Sequence, residues 1–452
     1  MEDPKSKQNP DAAVSRRNFM GGAAAAALAF TIVPRRVLGG PGNTPPSGKL
    51  NIAAIGSGGQ GASNLRGCSA ENIVALCDVD DNRASESFKR YPDAKKYRDF
   101  RKMLEEMGKT IDAVIVATPD HTHAVAAMAA MQLGKHVYVQ KPMTHSVYEA
   151  RKLTEAARKY KVASQMGNQG HSGEGVRLIC EWIWDGAIGP VHEVHAWTNR
   201  PIWPQGIDRP TETPPVPPNL DWDLWLGPAP ERPYNPAYLP FSWRGWWDFG
   251  CGALGDMACH VIDPIFSALK LKYPVSVEAC ATKVNKETFP LASIVHYDFP
   301  AREGMPPVKL HWYDGGMKPP RPDALEPGRR LEQAGSNVLF IGEKGVLRCG
   351  EYGDSPRLIP ETMMKEYKLP PKTLPRINGG HEQDWIIACK GGRPACSNFD
   401  YSGPLTETVV MGNLAIRRLG VKLAWDGENM KVTNDDEANK YVSPPYRKGW
   451  SL

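Results

Sequence analysis

The sequence predicts an α/β protein: a doubly wound parallel sheet in its first third, joined to an α+β domain with a mainly antiparallel, open sheet. Three observations predict it. From Lys49 to about Gln165, short apolar runs alternate with helical stretches, the pattern of parallel strands linked by crossover helices. The first of these runs enters a glycine-rich turn that can continue as a helix. Beyond Gln165, strand-like alternation recurs without helices between the later strands, which marks an antiparallel sheet. The 452 residues are enough for two or three domains. The expected division is 1–48 as leader and linker, 49–166 as the first domain, and 167–452 as the second, with a Trp/Pro-rich insertion at about 198–250.

Taken in order, Ser15-Arg16-Arg17-Asn18-Phe19-Met20 precedes Gly21 to Val33, a weakly hydrophobic Ala/Gly-rich run too short to span a bilayer as a stable helix. A twin arginine ahead of such a run is a bacterial twin-arginine export signal. The expectation is an exported, periplasmic protein that engages the twin-arginine machinery. Cleavage after Gly39 would free it, and retention of the run would leave it membrane-anchored. Gly40 to Gly48 reads as a Pro/Gly linker.

Ile52 to Ile55 reads as a buried strand running into Gly56-Ser57-Gly58-Gly59-Gln60-Gly61. That is G-x-G-x-x-G, with glycines at 56, 58 and 61. The first permits the tight turn, the second lets backbone approach a pyrophosphate, and the third lets the following helix pack close. The helix start then offers free N–H groups to phosphates. Ile73 to Asp78 is the next strand, and Asp78 lies about twenty residues past Gly58, where an acidic side chain accepts from a ribose 2′-OH. A Rossmann dinucleotide site is predicted, with NAD favoured over NADP. Asn82 to Tyr91 and Tyr97 to Met107 have helical character. Ile111 to Ala117 is a third strand, whose exit loop is Thr118-Pro119-Asp120-His121-Thr122-His123. Ala124 to Leu133 is a helix closed by Gly134, His136 to Val139 a strand, Val147 to Tyr160 a helix and Val162 to Gln165 a strand. Ligands of such sheets sit beyond the strand C-termini, where Asp78, Thr118 and Gln140-Lys141-Pro142 all fall.

In the second domain Glu174 to Trp184 is a helix, and Val191 to Trp197, Val275 to Val284, Ser293 to Tyr297, Val308 to Tyr313 and Val338 to Leu347 are strands. His381 to Lys390 and Pro404 to Leu419 read as helices. Composition narrows the function further. Hydrophobic content of 41% with 23% charged residues is ordinary for a globular protein, and a net charge of +5 without a basic stripe gives nucleic acid nothing to bind. Nine Cys with no C-x-x-C pair argue against a disulfide framework and a structural zinc site; Cys251 and Cys259 could bridge, but read better as buried thiols.

Three features then combine. Lys141 follows a strand at the edge of the expected nicotinamide pocket. Asp256 and His260 stand at i, i+4 and so share one helix face. Thr118, Pro119 and His123 complete the first domain's loop. With this set the chain resembles the Gfo/Idh/MocA oxidoreductases, the family of glucose–fructose oxidoreductase and inositol dehydrogenase, over most of residues 49–270. Four motifs fall in the family's order. The glycine loop matches Gly56 to Gly61, and T-P-N-x-x-H matches Thr118 to His123 with Asp120 for Asn. E-K-P matches Gln140 to Pro142 with Gln for Glu, and D-x-x-x-H matches Asp256 and His260. The resemblance implies that Lys141 and His260 flank the reacting carbon, that Asp256 supports them, and that the second domain's open sheet builds a homo-oligomer. Gln140 has no charge with which to hold the ammonium of Lys141.

The residue types fit hydride transfer. The substrate hydroxyl loses its proton as its C–H bond breaks, a task for a His general base. A Lys ammonium beside the same oxygen stabilises the developing alkoxide, and Asp256 can orient the imidazole or bond a neighbouring hydroxyl. No third ligand accompanies Asp256 and His260 at metal-binding spacing, so no metal is expected. His121, His145 and His171 read as structural or cofactor-adjacent. Trp197, Trp203, Trp222, Trp225, Trp243, Trp246 and Trp247 favour a saccharide stacked on aromatic faces, against a small core within the insertion, with Arg200, Asp208 and Arg244 as polar contacts. The expected activity moves a hydride between a sugar, polyol or glycoside hydroxyl carbon and a tightly held NAD, since free cofactor is scarce outside the cytoplasm. Two alternatives stand beside it: redox-neutral glycoside cleavage through a transient keto-sugar, and a non-catalytic sugar- or nucleotide-binding protein on the same fold.

Overall fold

The computed structural model describes residues 48–331 and 335–452. The twin-arginine segment lies outside the described residues. Six short strands build the first sheet: β1 (Asn51–Ile55), β2 (Asn72–Cys77), β3 (Lys95–Tyr97), β4 (Ala113–Val116), β5 (His136–Val139) and β6 (Ser164–Met166). All are parallel, in the spatial order 3-2-1-4-5-6 of a dinucleotide-binding sheet. Apolar runs such as Ile52 to Ile55 cannot alternate inside and out, because both faces are covered. Ile52 and Ala54 pack with Trp385 and Ile386 on one side, whereas Ala53 and Ile55 join the main core on the other.

The second sheet has nine strands. They are β7 (Val191–Trp197), β8 (Ser276–Ala281), β9 (Ser293–Phe299), β10 (Val308–Tyr313), β11 (Asn337–Gly342), β12 (Val346–Gly350), β13 (Arg357–Ile359), β14 (Leu423–Asp426) and β15 (Lys431–Val432), in the order 13-12-11-7-10-9-8-14-15. The sheet is mixed: β7 and β10 pair in parallel, and the other pairs are antiparallel. Helices Val147–Tyr160 and Phe399–Arg417 carry one continuous core between the two sheets. Leu50–Leu452 form one compact unit, and among the described residues no helix is long and apolar enough to cross a membrane.

Several expectations change in physical detail. Edge strand β3 is not foreseen, and its last residue, Tyr97, is expected in a helical stretch, because two of its three residues are lysines and it is mostly exposed. The exit loop of β4 is shorter than expected, since the helix begins at Asp120 and runs to Gln132 behind Pro119, with Asp120 in its positively polarised first turn. Val338 to Leu347 is a hairpin of two strands, not one. The helix expected from Pro404 starts earlier, at Phe399, where the Asn398 side chain accepts from the Asp400 N–H. Helix His381–Cys389 packs on the first sheet: Lys390 Nζ pairs with Glu71 at 2.6 Å and Glu382 accepts from Asn64 at 2.7 Å. Packing therefore crosses the boundary drawn at 166. Cys251 and Cys259 are both free and buried.

Candidate active site

The glycine turn is shaped by contacts that leave no room for side chains. Gly56 has φ +81°, and a Cβ there would stand 2.5 Å from Ala117 O. At Gly61 a Cβ would stand 2.0 Å from Gly56 O, so the turn and the helix Gly59–Gly67 close on each other only with glycine. Gly56, Gly58, Gly59 and Gln60 line a cavity of about 530 Å³ at the C-terminal edge of the first sheet. Gly61 and Ser57 do not. Ser57 is turned inward, its buried Oγ without a partner, and its backbone serves the turn.

Asp78 lines the cavity from the end of β2, but its carboxylate is already engaged. Ser57 N–H and Gly58 N–H donate to Oδ2 at 2.9 and 3.2 Å, and Asp80 N–H donates to Oδ1 at 3.1 Å. Burial pushes this carboxyl up against those three donors. Asp78 thus braces the turn as well as presenting an acidic wall where a ribose would lie. Across the cavity, Thr118 and Pro119 form the loop after β4. His123 ties that loop to the next, its ring nitrogens each 2.8 Å from Thr118 O and Pro142 O. Burial lowers this imidazole to about 4, so it is neutral and donates to one of the two carbonyls.

Lys141 follows β5, and its Nζ donates to the Asp256 backbone oxygen at 2.6 Å and to Asp256 Oδ1 at 2.9 Å. Asp256 sits on the helix Gly252–Val261 together with His260, one turn on. Arg244 Nε lies 3.0 Å from Asp256 Oδ1, and Arg200 Nε 3.9 Å from Oδ2. Burial alone would raise the Asp256 carboxyl, but the Lys141 and Arg244 cations outweigh it and hold it well below the usual carboxylate range. Gln140 takes no part in holding the ammonium. It donates instead to Asn64 Oδ1 at 2.8 Å, on the glycine-turn helix. The charge that a Glu would supply at 140 therefore comes from Asp256, contributed by a different segment.

His260 is 4% exposed and lines the same cavity. Its Nδ1 is buried without a hydrogen-bond partner, and Tyr352 presents its ring edge to ring at 5.0 Å. Burial, then the nearby Lys141 charge, push the imidazole well below its ordinary range, so it is a neutral ring able to accept a proton. Asp120, first residue of its helix, is buried in the cavity wall and accepts from the Cys251 N–H at 3.0 Å. Desolvation raises its carboxyl to about 7. Among the described residues no cluster of His, Cys, Asp or Glu is arranged to hold a metal ion.

The tryptophans divide unequally between the two uses expected of them. Trp225, Trp243 and Trp246 pack with Leu220, Tyr238 and Phe249 into a core of the insertion's own. Of the seven, Trp225 and Trp243 line the cavity. Phe241 and Tyr352, 43% and 38% exposed, are the open aromatic faces there, joined by Trp450. These three, with Arg83, Arg98 and Glu351, are cavity residues that sequence reasoning missed, since isolated aromatics and charges on loops carry no period. Arg200 and Arg244 line the cavity as expected, but Asp208 is an exposed loop residue away from it. His121, His145 and His171 bond to protein groups: His121 to Phe249 O and Trp225 O, His145 to Gly250 O, and His171 to Asp263.

Comparison with known proteins meets this geometry. A strand order, glycine turn and Lys–Asp–His wall of this kind define an α/β protein with an NAD-binding Rossmann domain. Two family models match, the "Oxidoreductase family, NAD-binding Rossmann fold" over residues 50–168 and the "Oxidoreductase family, C-terminal alpha/beta domain" over 192–300, together about half of the sequence. The chain belongs to the Gfo/Idh/MocA oxidoreductase family. Levoglucosan dehydrogenase of Pseudarthrobacter phenanthrenivorans is 25% identical over 226 residues, 47% of this chain and 50% of that protein. The scyllo-inositol 2-dehydrogenase (NADP(+)) IolW of Bacillus subtilis is 22% identical, covering 66% of this chain and 74% of that protein. The chain spans about half the length of the curated relatives it matches first. The WlbA dehydrogenase of Bordetella pertussis, solved with NADH and UDP-GlcNAcA, shares the fold at TM-score 0.58 and 17% identity, over 84% of this chain and 99% of that one.

Proposed function

We propose that this protein is an exported, NAD-dependent oxidoreductase that moves a hydride between a sugar or polyol hydroxyl carbon and a tightly held dinucleotide. The observation that carries the reading is the wall made by Lys141, Asp256 and His260, facing the cavity that the glycine turn opens. Named relatives that act on levoglucosan and inositols support a polyhydroxylated substrate. A dinucleotide would be held by the Gly56–Gly61 turn, Asp78, the Thr118–Pro119 loop and Gln140, and when bound it supplies the hydride acceptor. The closeness of the Gly56, Gly61 and Ala117 backbones fits that group, because the turn presents peptide rather than side chains to it.

The chain's own residues handle the proton and the charge. The substrate oxygen lies between the Lys141 ammonium and the His260 ring. His260, neutral, takes the hydroxyl proton at Nε2, the nitrogen opposite the enclosed Nδ1. The Lys141 ammonium stabilises the oxygen as it becomes alkoxide-like. Asp256 positions that ammonium through side chain and backbone together, and Lys141 and Arg244 keep Asp256 ionised. Phe241 and Tyr352 offer faces for the C–H surface of a sugar ring. Asp78 favours NAD, since a 2′-phosphate would meet its carboxylate. Export agrees with firm retention of the cofactor after folding in the cytoplasm.

The test is direct. The purified full chain is denatured and any released nucleotide identified by mass spectrometry, then turnover of a panel of sugars and inositols is followed in the wild type and Lys141→Ala. NAD recovered with the wild type, and turnover lost in the variant, support the reading. Turnover unchanged by the substitution overturns it. Export is checked by the size and compartment of the product in a host with and without a working twin-arginine translocase.

A further inference from the structure

A second cavity, of about 770 Å³, lies apart from the active site, against the helices Glu174–Trp184 and Asp263–Ala268. Its inner wall holds Arg177, which is 7% exposed. The guanidinium donates only to carbonyls: Nε to Pro375 O at 2.9 Å, and Nη1 to His171 O and Gly173 O at 2.5 and 2.9 Å. Among the described residues no carboxylate lies within ion-pair distance of it, and Nη2 has no protein partner. The guanidinium is thus fixed on two of its nitrogens by carbonyls, while Nη2 is left open toward the cavity, where an oxyanion can meet it.

The rest of the cavity points the same way. Arg158, Lys270, Lys272 and Arg393 stand around its mouth against two lining carboxylates, Asp400 and Glu303. Those two are taken by Arg158 and Lys270, and Arg393 pairs with Asp384, whereas Lys272 has no carboxylate partner among the described residues. Nearby walls are apolar, with Phe266, Leu271, Leu374 and Ile377 among them. The acids close behind the wall are engaged elsewhere: Asp263 with Asn168, His171 and Tyr401, Asp384 with Arg393, and Glu181 with Arg376.

We infer that this cavity is a binding site for an amphiphilic organic anion, with one carboxylate-like group on Arg177 Nη2 and an apolar body along the Phe266–Ile377 wall. Its volume suits a small molecule, and its few convergent polar groups in an apolar lining have the character of ligand sites. One open N–H edge calls for a single oxyanion rather than a polyanion. The inference does not depend on the redox reading, because no residue of the dinucleotide cavity takes part in it.

The test uses the full chain preloaded with NADH, so that the dinucleotide cavity is occupied. Anilinonaphthalene sulfonate serves as the fluorescent probe, with octanoate and octanol as competitors. One saturable site per chain is expected, displaced by octanoate and not by octanol. Arg177→Met should weaken the probe at least tenfold, as loss of a charge-assisted hydrogen bond does. Lys272→Glu, an exposed change with little bearing on folding, should weaken it about threefold through the lost attraction at the mouth. Circular dichroism and NADH binding check that each variant is folded. Should Arg177→Met fail to fold, the Lys272→Glu and octanoate results decide alone. Equal displacement by octanoate and octanol, equal binding to wild type and both variants, or no saturable binding overturns the inference.

Discussion

The two ends of the cavity proposed as the active site are built by different means. The dinucleotide end is made by backbone: one turn from Gly56 to Gly61, braced by Asp78, against a loop after the neighbouring strand. The substrate end is made by side chains from widely separated segments, Lys141, Arg200, Phe241, Arg244, Asp256, His260 and Tyr352. The first is a local solution, fixed by steric rules that hold in any parallel sheet. The second exists only once the two sheets are packed together. Damage at the first should therefore act on cofactor binding, and damage at the second on turnover.

The largest effect that would break this contrast is at Gly61. A Cβ there stands 2.0 Å from Gly56 O, so Gly61→Ala should abolish dinucleotide retention, read as nucleotide released on denaturation. A variant that retains NAD would show that the turn is not the cradle. Next come Lys141→Ala and His260→Ala, each expected to lower kcat by about 10² to 10⁴ while the dinucleotide stays bound. Loss of cofactor in either would blur the division between the ends. Asp78→Ala should weaken NAD and narrow its preference over NADP, measured by titrating both, because it removes the brace and the acidic wall together. Unchanged selectivity would leave only the bracing role.

A pH profile sharpens the contrast within the substrate end. His260 titrates well below its ordinary range and Asp120 at about 7, so an inflection of kcat/KM near pH 7 is expected from Asp120 and should vanish in Asp120→Asn. An inflection that survives would assign it to His260 and contradict the burial argument. Stability runs the same way. Folding raises the Asp120 pKa, so the folded state binds more protons than the unfolded between the two values, and stability falls as pH rises from about 4 toward 7. Thermal melts at pH 5.5 and 8 should differ less in Asp120→Asn than in wild type. Smallest is Phe241→Ala, expected to raise KM for a sugar a few-fold, about the worth of one open aromatic face, with kcat little changed.

This difference in construction also decides what could be read from the sequence. The glycine turn, Asp78 and the strands around them are contiguous patterns, and they lie where the spacing puts them. Lys141, Asp256 and His260 were legible through short motifs on a strand end and a helix face, and the structure brings them to one wall. That Asp256 takes the place of a charge at 140 was not legible, because the contact joins residues more than a hundred positions apart. Tyr352 and Trp450 have no periodic neighbours to mark them, and the tryptophan cluster looked like a sugar platform because burial cannot be read from residue type alone. Strand β3 escaped because its lysines obey the rule for a sheet edge rather than that for a core.

Trp450 brings a stretch remote in sequence to the wall of the cavity. Arg101 stacks on its ring at 4.5 Å and Phe100 packs beside it, so residue 450 lines the same cavity as the glycine turn. In the proposed reading, a coenzyme cradled by the turn is also met by this ring, which the fold brings in from a stretch remote in sequence. A fusion or deletion near Trp450 would therefore be felt first as leakage of nucleotide rather than as unfolding.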